Sequence, residues 1–366
     1  MSTDVILLER RAALKRDVLA NRGKILPTLI LNTIDQAIRK VIHRKTPLPW
    51  VYSAIVLALI SILPTLLARV LLKEAATWKE LMVAESTAIE LAVTGLVVLH
   101  FVISFIIRST NGLFVEAIES IDDLNDLQKW LEDGWTLQNP YKLVVGGAIA
   151  WTLISTIWLS ISYHMFVGVG FIIAAIFVGG VLGIGLYYLV WAIKLPLHLG
   201  NYRYKLHEVD PVHSEVISHL THTLNRVIYG VAAYFALVTM IDVLIGGSPG
   251  QVVVLILVLG WGIITIQFIV NQSTLAKIVS TAKWKTLNEI QAEIRVLRTN
   301  GKLTEKETMD AINRLMDLHE RVRNTQSSPL DLKAGLTFLN QLMLPLFGFL
   351  LANIENIVNF IVSFGN

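Results

Sequence analysis

There is no cysteine anywhere in the 366 residues, which removes disulfides, thiolate metal sites and cysteine nucleophiles from this chain in one step. Charge is scarce as well. Asp, Glu, Lys and Arg make up 16% of the sequence against 54% hydrophobic residues, and mean hydropathy is +0.60. Soluble domains carry about 25% charged residues, so this chain has too little polar surface to face water throughout. No HExxH, zinc-ligand spacing, serine–histidine–acid arrangement or catalytic carboxylate pair occurs. These absences argue against an enzyme and leave no residue set that asks for a cofactor. A net charge of +3, with basic residues placed beside apolar runs and acids elsewhere, gives no footprint for nucleic acid. The first 20 residues contain Arg10, Arg11, Lys15 and Arg16 but no apolar core of a cleavable signal, so the first apolar run is expected to serve as the insertion signal.

What is present is length of apolar run. Six stretches, Trp50–Leu72, Thr87–Ile107, Leu143–Tyr163, Phe166–Ile193, Arg226–Ile245 and Gln251–Gln272, each reach the span of a bilayer. A hydrocarbon core about 30 Å thick needs about 20 residues at about 1.5 Å each. The expected fold is therefore all-α: a polytopic helical membrane protein, with six transmembrane helices as three hairpins plus a cytoplasmic helical bundle. A seventh span is left open at Leu336–Phe364, where Asn340, Gln341 and Pro345 interrupt the apolar pattern. That segment is read alternatively as a re-entrant or an interfacial helix.

Positive charge sets the orientation. The connections after the odd-numbered spans contain only Lys73 and Lys79, whereas eleven Lys and Arg lie between Lys277 and Lys333 alone. Lys and Arg accumulate on the cytoplasmic side, so the N-terminus and the long connections belong there, in a plasma or inner membrane. The organisation that follows is a basic amphipathic arm (1–49), hairpin one (50–107), an acidic helix (108–142), hairpin two (143–193), a histidine-containing helix (194–225), hairpin three (226–272), a charged helical hairpin (273–328) and the C-terminal apolar segment (329–366).

The cytoplasmic pieces have helical patterns of their own. In the arm, Ile30, Ile34, Ile38 and Ile42 recur at helical spacing among basic residues, suiting either an anionic leaflet or a protein surface. The acidic helix frames Ile118, Ile121, Leu124, Leu127 and Leu131 with seven acids, which anionic lipid would repel, so a basic helix is its natural cover. In the charged hairpin, Leu287, Ile290, Ile294 and Leu297 form an a/d line, and after the Asn300-Gly301 stop the facing residues are expected to be Met309, Ile312, Met316 and His319.

Candidate functional residues follow from depth. Arg69, Glu90 and Asp242 each lie about one turn inside the outer end of a span and form a candidate intramembrane charge cluster, or else reach outward to the headgroups. His100, near the middle of span two, is a candidate proton-sensitive or pore-lining group, or a histidine bonded to a neighbouring helix. Glu215, His219 and His222 share a face of a helix expected to start at Asp210-Pro211, and they are weak metal candidates because no tight ligand motif is matched. Gly179 and Gly183 make a small-xxx-small face for close helix packing.

The functional expectation is an oligomeric channel or pore-forming signalling component with a cytoplasmic assembly and gating domain. Its alternatives are a non-catalytic scaffold recruiting a cytosolic partner, or a secondary transporter using the intramembrane charges. Expected partners are the lipid bilayer, anionic lipid headgroups, further copies of the chain and a cytosolic protein. Tags at the N-terminus and at Gly301 are predicted to be protected from protease in intact cells, and one at Gly247 to be cleaved from outside. Cleavage at Gly301 from outside would reverse the orientation.

Overall fold

The exposed surface of this chain is apolar where its helices are longest, and that organises the architecture. The computed structural model describes residues 3–20, 25–42, 49–71, 79–135, 140–163, 169–245, 250–300, 306–328 and 332–353. Twelve helices follow one another among them: α1 (Thr3–Ala20), α2 (Leu26–Ile42), α3 (Pro49–Leu71), α4 (Lys79–Thr110), α5 (Leu113–Ala117), α6 (Ile121–Trp135), α7 (Pro140–Tyr163), α8 (Val169–Leu199), α9 (Glu215–Ile245), α10 (Gly250–Asn300), α11 (Lys306–Asn324) and α12 (Leu332–Ala352). The described residues form no strand, only an isolated antiparallel bridge between Ile118 and Tyr204.

Five helical stretches are long and apolar enough to cross a membrane: Ala92–Ala117, Phe171–Leu199, Glu215–Ile241, Ile256–Thr299 and Ala334–Leu351. Four of them coincide with expected spans, and the fifth is the C-terminal segment whose status the sequence leaves open. The other two expected spans fall on α3 and α7, where the apolar stretches Val51–Leu63 and Lys142–Ile157 are shorter. Several side chains at the ends of these two helices lie outside the described ones.

Outward faces carry Ile55, Leu59 and Ile60 on α3, Ile149 and Leu153 on α7, Leu182 and Leu186 on α8, Leu259 and Ile266 on α10, and Leu339 and Phe347 on α12, all exposed. Inward faces of the same helices bury Ser53, Ser61, Gln267 and Gln341. Exposed apolar surface of this extent is compatible with a membrane environment. Without a hydrophobic drive between helices, small residues and side-chain hydrogen bonds hold them together. Ser53 donates to the Leu31 carbonyl at 2.8 Å, joining α3 to α2, and Trp261 Nε1 donates to the Leu342 carbonyl at 2.9 Å, joining α10 to α12.

α7 and α8 approach each other closely. A Cβ placed on Gly179 would stand 2.7 Å from the Gly147 carbonyl oxygen, and one on Gly183 would stand 2.5 Å from the Leu143 carbonyl oxygen. α12 approaches α9 similarly, with a Cβ on Gly348 2.5 Å from the Ala236 carbonyl oxygen.

At one end of the long helices the short and charged ones gather. α1 buries Leu14 and Val18 against the stripe of α6, where Leu124 and Leu127 are fully buried. α2 buries Leu31, Asp35 and Ile38, so Ile38 of the expected line lies inside while Ile30 and Ile34 of that line are half-buried beside it. α10 is a single helix of 51 residues, about 75 Å long, and runs unbroken from its apolar half into the charged hairpin.

The hairpin corrects the sequence reading. Leu287 and Ile290 of α10 pack with Val322, Leu315 and Leu318 of α11, while Met309 and Met316 are exposed. The contact line on α11 runs Ile312, Leu315, His319, Val322, a three-four alternation that shares Ile312 and His319 with the expected face but turns away from both methionines. Residues 301–305, which include the Gly301 stop, lie outside the described ones.

Gly183→Leu is expected to lower stability in detergent by about 1–3 kcal/mol, since neither backbone can move aside. Gly146→Leu, on the partner helix α7 with open space beside it, should be nearly neutral. Equal thermal shifts for the two would refute close packing at Gly183.

Candidate functional site

The sequence candidates are distributed over α3, α4, α8 and α9. Arg69, Glu90 and Asp242 fall on α3, α4 and α9, and their side chains lie outside the described ones. His100 Nδ1 meets Thr28 Oγ1 at 2.7 Å, so this histidine ties α4 to α2, with Phe101 edge-on at 5.2 Å. Gly179 and Gly183 face α7 as described above.

The histidine-containing helix begins later than expected. Asp210 accepts a bond from His213 Nδ1 at 2.8 Å instead of capping, and the first helical turn forms on Ser214, whose carbonyl accepts the Ser218 amide at 3.2 Å. His219 Nε2 lies 3.6 Å from Glu215, whereas His222 pairs with Arg226 at 3.5 Å. The two histidines thus serve different neighbours, and no group of three His, Asp or Glu among the described residues could hold a metal ion.

The charged end contains a joint that sequence spacing did not disclose. Trp130 of α6 stacks on His198 at 4.4 Å and on Trp191 at 5.3 Å, both from α8. Tyr202 donates to Asp126 Oδ2 at 3.0 Å and is also hydrogen-bonded to His198 Nε2. Burial, reinforced by the Asp126 carboxylate, pushes the Tyr202 phenol well above its ordinary pKa, so it remains a neutral donor. Arg203 from the same loop reaches Ser120 at 3.2 Å and Asp123 at 3.6 Å. Signals for this joint existed in the aromatic residues of both segments, but these residues are 60 or more positions apart.

On the other side of α6 lies α1. Arg10 donates to Asn125 at 2.9 Å and to Gln128 at 2.5 Å, Arg11 donates to the Ile118 carbonyl, and Lys15 pairs with Glu116 at 2.5 Å. Between α4 and α5 the chain turns through two left-handed residues, Asn111 (φ 50°) and Gly112 (φ 67°), and a Cβ on Gly112 would crowd Lys15 at 3.2 Å. Basic α1, acidic α6 and the loop after α8 thereby form one layer.

Two features lie on α10. Lys283 is buried and donates to the carbonyls of Arg323 and Thr325 at 2.8 and 2.7 Å and to Ser327 Oγ at 3.2 Å, so an ammonium closes the C-terminal end of α11 onto its partner helix. Deeper in the bundle, Gln267, Asn271 and Thr274 share one face at spacings of four and three, and all are buried. Asn271 Nδ2 donates to the Leu224 carbonyl of α9 at 3.4 Å. Both amide atoms of Gln267, both of Gln341 on α12, and the hydroxyls of Thr223 and Thr239 on α9 are buried with no hydrogen-bond partner among the described residues. These buried polar groups belong to α9, α10 and α12, three helices that pack against one another. Sequence reading used Gln341 only as an interruption of a span and passed over Gln267 because neither is ionisable.

Compared with family models, curated proteins and solved structures, the chain matches none.

Leu124→Asp is expected to detach α1 from α6, because burying a leucine contributes about 1.5–3 kcal/mol and a carboxylate there would have no partner. Glu116→Gln should cost less than about 1 kcal/mol, since Lys15–Glu116 is partly exposed and screened. Bis-maleimide cross-linking of cysteines introduced at Arg10 and Asn125 measures the docking. Cross-linking that survives Leu124→Asp would show that charge rather than the stripe holds the layer.

Proposed function

We propose that this chain is a multi-pass integral membrane protein, with its N-terminus and charged helices in the cytoplasm, that acts as an oligomeric channel-type or pore-forming signalling component. What supports this reading is that Gln267, Asn271 and Gln341 bury unmatched amide atoms on α10 and α12, helices that pack on each other and on α9, and we read them as one polar seam. A buried amide without a partner costs about 1–3 kcal/mol, and in hydrocarbon no outside water relieves it. Hydration of the seam, or a polar solute or ion moving along it, offsets that cost and gives a permeant path.

The continuity of α10 supports a gating role for the charged hairpin. A rotation or tilt of the α10–α11 hairpin is transmitted along one helix, with no loop to absorb it, to the face that holds Gln267 and Asn271. The layer of α1, α5 and α6, locked to α8 through Trp130 and His198, supplies the fixed frame against which such a lever works. A second reading, the scaffold, is favoured by the exposed Met309 and Met316 on α11 and Val296 on α10, an apolar strip on a charged hairpin suited to a cytosolic partner.

Reconstitution into liposomes, with conductance recorded across pH, tests the first reading. Stepwise currents are expected, and Gln267→Leu with Gln341→Leu should reduce them about tenfold or more, by roughly 1.4 kcal/mol in the barrier. Because these changes remove orphaned amides, stability should stay level or rise. Silent bilayers containing correctly folded protein would overturn the channel reading and leave the scaffold.

A further inference from the structure

A second interior feature, separate from the polar seam, is a cavity of about 390 Å³ bounded by α4, α8, α9 and α10. It exists because α8 and α9, joined through the loop at 200–214, barely touch each other, while α4 packs against both. Ile103, Ala192 and Val227 are buried in its wall, Val231 is half-buried there, and Gly185 leaves room where a larger residue would project. A Cβ on Gly185 would still stand 3.9 Å from the nearest atom, the Tyr234 hydroxyl.

Water is a poor occupant. The volume corresponds to roughly a dozen waters at about 30 Å³ each, and each would need about two to four polar partners. The wall offers polar side-chain atoms only from Tyr188, Trp191 and Tyr234. Of these, the Tyr188 hydroxyl already accepts the Leu26 amide at 2.9 Å. The occupant must therefore be apolar. Leu182 and Leu186 of α8 and Leu259 of α10 belong to the wall and are also exposed on the apolar outer surface, so the cavity opens sideways to whatever covers that surface. The lining residues of α8 extend from Leu182 to Ala192, about 15 Å along the helix axis. The space is thus elongated along the direction in which lipid chains run.

Its charged end is equally specific. Arg108 follows the lining residue Ile106 by two positions, Lys194 follows Ala192 by two, and Arg226 immediately precedes Val227. All three therefore lie at the same end of the cavity, where α4 and α8 finish and α9 begins. No carboxylate pairs with any of them among the described residues. Arg226 leans instead over the exposed Phe105 ring at 6.0 Å.

We propose that this cavity is a binding site for one acyl chain of an anionic phospholipid, with the phosphate held at its charged end by Arg108, Lys194 and Arg226. The inference rests on the membrane placement proposed above and not on conduction. Filling the cavity from the bilayer lets α8 and α9 stay apart without an empty apolar void, and makes lipid a component of the bundle.

The test uses the full chain in nanodiscs of phosphatidylcholine and phosphatidylglycerol, with a trace of either lipid carrying a mid-chain diazirine, and adducts mapped by mass spectrometry. Adducts are expected on Ile103 and Val227, which bulk lipid cannot reach, as well as on the exposed Phe101. Gly185→Leu and, independently, Val231→Phe should lower the Ile103 adduct about fivefold while leaving Phe101 unchanged, a loss of roughly 1 kcal/mol in occupancy. If Gly185→Leu does not fold, Val231→Phe decides. The phosphatidylglycerol probe should label Ile103 about fivefold more than the phosphatidylcholine probe, the effect of roughly one basic residue at the headgroup. Phe101 labelled with Ile103 and Val227 clean, interior labelling indifferent to both variants, or equal labelling by the two probes would each overturn the site as proposed. Failure to label Phe101 as well would instead refute the membrane placement, and the site with it.

Discussion

Backbone amides and carbonyls that face hydrocarbon have no water to bond, so they must be satisfied within their own helix. The long uninterrupted elements meet that constraint, among them 31 residues in α8, 31 in α9 and 51 in α10. It also fixes which surface is which. Leucine and isoleucine turn outward along α3, α7, α8, α10 and α12, while the interior combines other aliphatic side chains, such as Ile184, Leu195 and Ile264, with buried serine, threonine and amide side chains. Helix association then depends on close backbone approach, as at Gly147, Gly179 and Gly183, and on individual hydrogen bonds such as Ser53 to Leu31 and Trp261 to Leu342.

The charged end obeys a different rule. There the stripe of α6 is buried by α1 and by the loop following α8 in the manner of a soluble protein, with Leu124 and Leu127 inside and the acids outside. Ion pairs such as Lys15–Glu116 orient this layer but contribute little by themselves, because both partners are partly exposed. The aromatic stack of Trp191, Trp130 and His198 couples the two regimes, since Trp191 and His198 belong to a long apolar helix and Trp130 to an acidic one. α10 couples them a second time by passing from one regime to the other without a break.

Much of this was legible in order along the chain. Helical periodicity marked the α6 stripe because one apolar face surrounded by acids admits a single burial pattern. It marked the α10 half of the hairpin for the same reason. It misplaced the face of α11, where Met309 and Met316 are apolar by composition yet exposed, because two adjacent apolar tracks share Ile312 and His319 and only the partner helix selects between them. The start of α9 moved from Asp210 to Ser214 because His213 competes for the Asp210 carboxylate, a local choice that capping preferences alone do not rank.

Composition and run length by themselves determined that the chain is helical, largely apolar and charged on its connecting segments, because those properties depend on the residues present and on their spacing within one helix. The C-terminal segment, interrupted by Asn340, Gln341 and Pro345, forms one continuous helix, α12, long and apolar enough to cross a membrane, and it packs along α9 through Gly348. Tertiary structure alone decided the rest: that Gln267 and Gln341 lie buried with their amides unmatched, that Lys283 closes α11 from 40 residues away, and that α8 and α9 leave a cavity between them. Each of these depends on which residues of distant helices meet across an interface, and one-dimensional periodicity describes the faces of a helix but not what is brought against them.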